Sequence, residues 1–242
     1  MMSTPVLPAT GLDRKTRTLF TGFFLAILGG AAVLALMILL LPNQVFLAIS
    51  NYLQIIAAIA GSIVFLYAWH WRGGPESYLY LAGGFGIWGI ANIAWYIHVL
   101  MGQRAMVFPS LIDIGMIASF LVLSKAFQKG LARKQRAPGL LLGILVICLI
   151  IPVGVMVTSG FSAATLVTLA YFLACGSFLI TGLNHSLGEH TEILAGAVLF
   201  ALTFMIYPLR ELFFVANPVF SIIGTFVSAG FALMAIGWLS VE

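Results

Sequence analysis

Three ionisable residues, Asp113, Arg210 and Glu211, stand inside stretches otherwise apolar enough to cross a membrane. An ionisable group at the centre of a membrane helix costs at least about 2.5 kcal/mol on insertion scales, so each is half of a buried pair or part of a functional site. Ser110 precedes Asp113 by three residues, on the same helical face, just after Pro109, which a first helical turn tolerates. Trp88, Asn92, Trp95 and Tyr96 follow the spacing i, i+4, i+7, i+8, again one face. Flat aromatic faces beside one amide suit a planar or amphipathic ligand. Tyr207, Arg210 and Glu211, at i, i+3 and i+4, form a third such face. These nine residues are the candidate ligand-binding set.

Catalytic readings of the same residues are weak. A retinal Schiff base needs a lysine deep in the last helix, and the chain's lysines are Lys15, Lys125, Lys129 and Lys134. Asp113 and Glu211 would have to share a proton to act as an aspartyl dyad, without a recognisable catalytic motif around them. Ser110 has only His98 as a candidate base. His185 and His190 flank Glu189 at a spacing that matches no strong zinc pattern, and a solvated loop is the simpler reading. No catalytic residue, metal or cofactor is called for.

The elements that must position these residues are membrane helices. Of 242 residues 62% are hydrophobic and 7% charged, and the mean hydropathy of +1.13 excludes an ordinary soluble domain. The continuous apolar runs are too long for barrel strands of about ten alternating residues. Eight spans are expected in an all-α integral membrane protein: Leu19–Leu41, Val45–Trp69, Ser77–Met101, Ala105–Phe127, Leu140–Val157, Phe161–Leu183, Ile193–Val215 and Pro218–Val241. The run after Arg14, Lys15 and Arg17 is too long for a signal-peptide core and reads as a retained helix. Placing the N-terminus inside puts nine of the eleven Lys and Arg on the cytoplasmic side and leaves Arg104 and Arg210 near the other. Both termini are then cytoplasmic in a cell-membrane protein. The basic balance follows from that rule and implies no nucleic-acid partner; the partners it leaves are membrane lipid and a ligand. Trp69, Trp71 and Trp238 read most simply as interfacial aromatics, a reading also open for Trp95 and Tyr96; His98 reads as an interfacial histidine.

Two halves are expected, residues 1–127 and 140–242, joined by the basic linker 128–139. Leu81, Ala82 and Gly83 match Leu194, Ala195 and Gly196, and with a turn shorter by two residues Phe120 falls on Phe231. Four spans per half make this a parallel 4+4 repeat with a cavity between the halves. Asp113 then falls on Gly224. At 1.5 Å per residue Asp113 lies roughly 12 Å, Arg210 about 8 Å and Asn92 about 13 Å below the outer helix ends. The polar residues converge in the outer leaflet. An ion pair between Asp113 and Arg210 is expected if the fourth and seventh spans are neighbours, because neighbouring Arg210 and Glu211 do not face each other on a helix.

The stretch GIWGIANIAWYIHVLMGQRAMVFPSLIDIGMIASFLVL, residues 86–123, resembles the multi-span sensor modules found ahead of diguanylate cyclases and histidine kinases in bacteria and archaea. Those modules carry a W-x-x-x-D/N-x-x-W helix, a short loop and then P-S-x-x-D. Trp88, Asn92, Trp95, Pro109, Ser110 and Asp113 fit that pattern. The chain departs from it in having no soluble output domain. The resemblance implies a receptor-like protein that takes a small or amphipathic ligand in an outward-facing polar and aromatic pocket and signals to a separate cytoplasmic partner. The alternative is a small-solute transporter or channel.

Overall fold

The computed structural model describes residues 12–37, 40–100, 108–133, 138–185, 187–213 and 222–241. Among them are eight α-helices and one short 3-10 turn at Leu187–Glu189. The helices are α1 (Arg14–Leu36), α2 (Asn43–Arg72), α3 (Glu76–Leu100), α4 (Leu111–Gly130), α5 (Pro138–Ser159), α6 (Ala163–Leu183), α7 (Thr191–Phe213) and α8 (Ile223–Ser240). Seven are long and apolar enough to cross a membrane, and the chain is a multi-pass membrane protein. The other, α3, is as long but diluted by Asn92, glycines and aromatics, and its neighbours α2 and α4 cover it on both sides.

Local chemistry sets the ends. Asp13 caps α1 by accepting the Thr16 N–H at 2.8 Å, so this helix starts five residues before the expected Leu19 and takes in Arg14, Lys15 and Arg17. Gly73, at φ 64°, closes α2 in the left-handed conformation that glycine reaches without strain. The helix that carries Asp113 starts at Leu111 with Ser110 as its N-cap, so Pro109 stands before the helix and not in its first turn. The expected starts and ends at Met101, Ala105, Val215 and Pro218 lie outside the described residues.

Helix packing builds a ring. In cyclic order α2, α3, α4, α6, α7 and α8 each pack on the next, and α8 packs back on α2. Exchanging α2–α4 with α6–α8 leaves that order unchanged, the pattern a parallel repeat requires. The outer helices break it: α1 packs on α8, whereas α5 packs on α6 with no comparable contact on α4. The repeat itself still rests on the sequence matches. Close approach of α7 to α8 depends on Gly196, where a Cβ would stand 2.6 Å from the Met234 nitrogen and 2.7 Å from the Gly230 oxygen. Outward, α5 presents Leu142, Ile147, Ile150 and Val157 to the surroundings, as a lipid-facing helix does.

The centre of the ring is aromatic. Phe85, Trp88, Phe120, Phe178, Phe200 and Phe231 are all essentially buried. Ring centroids of Phe200 and Phe231 are 4.6 Å apart, Phe120 and Phe200 4.7 Å, and Trp88 and Phe231 4.8 Å. Offset and edge-on contacts at these separations add to the burial itself. Ion pairs gather at one end of the bundle, Arg72 with Asp13 at 3.2 Å and Lys129 with Glu76 at 2.9 Å. Thr16 and Arg72 hold the Asp13 carboxyl below its ordinary range, the Thr16 N–H contributing most.

Candidate functional site

A cavity of about 360 Å³ opens at the end of the bundle opposite those ion pairs. Five helices reach it: the N-terminal halves of α2, α4 and α8 and the C-terminal halves of α3 and α7. Of the sequence-derived set, Trp88, Asn92, Trp95, Ser110, Asp113, Tyr207, Arg210 and Glu211 line it together. Tyr96 does not. At 3.6 residues per turn it lies roughly 80° round α3 from Trp88, and its hydroxyl bonds the Tyr52 hydroxyl on α2 at 2.7 Å.

Asn92 is 4% exposed and lines the cavity, not the lipid side. Its carboxamide makes no hydrogen bond among the described residues. Sequence reasoning passed over Ser50, Asn51 and Gln54, three polar residues in the apolar second span, which form the facing wall from α2. Gln54 Nε2 donates to the side-chain oxygen Oδ1 of Asn51 at 3.4 Å, and Ser50 Oγ has no partner. Gly224 of α8 sits against them. A Cβ there would collide with the Gln54 amide and the Ser50 hydroxyl, so the position matched to Asp113 holds α2 side chains in place of its own.

Asp113, 2% exposed, is fully engaged with neutral donors. One carboxylate oxygen accepts the Ser110 N–H at 2.6 Å and the Ser110 hydroxyl at 3.0 Å. The other accepts the Tyr171 hydroxyl of α6 at 2.7 Å. S-x-x-D is a capping box in which the acid reaches back over the helix start, so Asp113 both caps α4 and ties it to α6.

The expected ion pair between Asp113 and Arg210 is not formed. Arg210 Nη1 bonds Glu211 Oε1 at 3.0 Å, both side chains being about four-fifths covered. Depth along the membrane normal had placed the two charges level, but level is not adjacent: α4 packs on α3 and α6, whereas α7 packs on α6 and α8. Neighbouring residues on a helix diverge at Cβ, yet Arg and Glu are long enough to curl together at the last turns of α7. Arg210 Nε and Trp88 Nε1 are buried without partners.

Below the cavity the central aromatics form a floor. Phe204 lies in the wall, and one turn deeper stand Phe120, Phe200 and Phe231. Elsewhere, His185 Nδ1 is within 2.8 Å of the Thr181 carbonyl oxygen, a local contact at the end of α6. No protein-family model, curated protein or solved structure matches this chain.

Proposed function

We propose that the chain is a membrane sensor with a receptor-like role: a small or amphipathic ligand enters the cavity at the outward end, and the helix ring passes the change to a separate cytoplasmic partner. The observation that carries this reading is a cavity walled by aromatic rings whose polar lining is unsatisfied: Trp88 Nε1 and Ser50 Oγ are buried without partners, and beside them the Asn92 carboxamide makes no hydrogen bond among the described residues. A buried polar group left unpaired costs about 1–3 kcal/mol, and a bound acceptor or donor relieves that cost. The resemblance of residues 86–123 to sensor modules supports the same role. Orientation follows from the Lys and Arg distribution, which puts both termini and the ion-paired end in the cytoplasm.

The transporter alternative draws on the cyclic order of the ring, since repeats about an axis along the membrane normal also build transporters. Against it stands the aromatic floor, which closes the cavity from beneath. Vesicle reconstitution separates the two. A sensor binds solutes from a panel of planar and amphipathic compounds saturably, without flux, and Asn92→Leu weakens that binding. Flux of a panel compound that Asn92→Leu abolishes would establish the transporter.

A further inference from the structure

The hydrogen-bonding inventory of the cavity narrows the chemistry of its ligand. Resting on the reading that this cavity binds a ligand, we infer that the ligand is a neutral, planar molecule carrying carbonyl-type acceptors, of the quinone or chromone class, and not an organic ion.

Charge comes first. Among the described residues that line the cavity the one cationic group is Arg210, and it is already paired with Glu211 at 3.0 Å. Among those residues an incoming anion therefore finds no free positive charge, and it meets Asp113 and Glu211 as well. An incoming cation would sit beside the Arg210 guanidinium, and Asp113 already accepts three hydrogen bonds from Ser110 and Tyr171. Removing either ion from water is costly unless a partner waits for it. A neutral molecule avoids both penalties.

Donors come second. Trp88 Nε1 and Arg210 Nε are buried without partners, and each can only donate. Ser50 Oγ is likewise unpartnered, and Asn92 has both an N–H pair and an oxygen to offer. The carboxylate oxygens that would receive a donor-rich ligand are largely occupied. The unmet demand is for acceptors, which ring carbonyls present at the edge of a flat frame.

Shape comes third. Trp88, Trp95, Phe204 and Tyr207 wall the space with aromatic surface. A volume of about 360 Å³ lies at the small end of the roughly 300–1,000 Å³ typical of small-molecule sites. That suits a bicyclic frame better than a long acyl chain.

The test is calorimetric titration of the detergent-solubilised protein with four compounds on one carbon frame. They are 2,3-dimethyl-1,4-naphthoquinone, 2,3-dimethylnaphthalene, 2-naphthoate and (2-naphthylmethyl)trimethylammonium. The quinone should bind saturably at one site, and the hydrocarbon and both ions roughly tenfold or more weaker, the size of one or two lost hydrogen bonds. Trp88→Phe and Asn92→Leu should each weaken the quinone roughly five- to tenfold more than they weaken the hydrocarbon. Equal binding of quinone and hydrocarbon, or quinone binding that neither variant alters, overturns the acceptor requirement. Tighter binding of either ion overturns neutrality while leaving a ligand-binding cavity in place. Absence of binding by all four overturns the ligand class and the binding reading together.

Discussion

Replacing Tyr171 with Phe isolates the tie between α4 and α6. Tyr171 is fully buried, its ring stacks on Phe204 at 6.1 Å and meets Tyr207 edge-on at 5.7 Å, and phenylalanine keeps those contacts. What is lost is the 2.7 Å hydrogen bond to Asp113, whose second oxygen is then left without its partner in a site that is 2% exposed. A hydrogen bond to a charged group contributes about 1.5–3 kcal/mol, so Tyr171→Phe should destabilise by that amount. Asp113→Ala should cost more, because the α4 cap goes too, worth about 0.5–2 kcal/mol by itself. Equilibrium unfolding in mixed micelles, followed by circular dichroism, reads both. In a double-mutant cycle Tyr171→Phe and Asp113→Ala should show an interaction energy of about 1 kcal/mol or more, whereas Arg210→Gln and Asp113→Ala should add to within about 0.3–0.5 kcal/mol. A Tyr171→Phe effect below about 0.5 kcal/mol, or strong coupling between Asp113 and Arg210, would refute this account of the acid.

Further outcomes follow from the same geometry. Gly224→Ala drives a methyl into Gln54 and Ser50; it should cost about 1–3 kcal/mol and abolish ligand binding in calorimetry, and unchanged binding would mean the ligand sits elsewhere. Phe231→Ala removes a fully buried ring from the floor and should cost about 3–5 kcal/mol in the same unfolding assay; a cost near zero would show that the centre is loosely packed. The Asp13 carboxyl is held below its ordinary value of 3.8 by Thr16 and Arg72, so its contribution is complete above that pH and lost as the pH falls through the lower folded value. Asp13→Ala should therefore melt lower than the parent at neutral pH and converge with it in strong acid; a difference independent of pH would remove the titration from the explanation. Cysteine at Gln103 should react with an impermeant thiol reagent applied outside intact cells and cysteine at Gln135 should not; the reverse pattern inverts the orientation.

The helices were legible because each is a long apolar run, but hydropathy alone misplaced the start of the first, which the Asp13 cap sets at Arg14 and not at Leu19. Helical periodicity placed Trp88, Asn92 and Trp95 on one face, and the structure brings that face to a cavity shared with Asp113 and Arg210. Ser50, Asn51 and Gln54 carried the same signal as Asn92, polar residues within an apolar span, and reasoning by motif overlooked it. The S-x-x-D box was also readable as a cap, since that interaction is local. Tyr171 was not: a single tyrosine in the sixth span gives no sign that it meets an acid 58 residues earlier. The misplaced ion pair has the same origin, because sequence gives depth along a helix but not which helices are neighbours. Tyr96 failed by angle, lying at the edge of its helical face and reaching Tyr52 instead.

The central claim, that Asn92 faces a cavity able to receive a small molecule, is tested most directly by the reactivity of Asn92→Cys in the folded protein. Cys148 and Cys175, the two native cysteines, are buried and supply little background. A small neutral maleimide should modify the introduced thiol to completion under native conditions, more slowly than in the unfolded chain. A thiol that stays unmodified until the protein unfolds would show a closed, packed core at this position and contradict the cavity as a binding site.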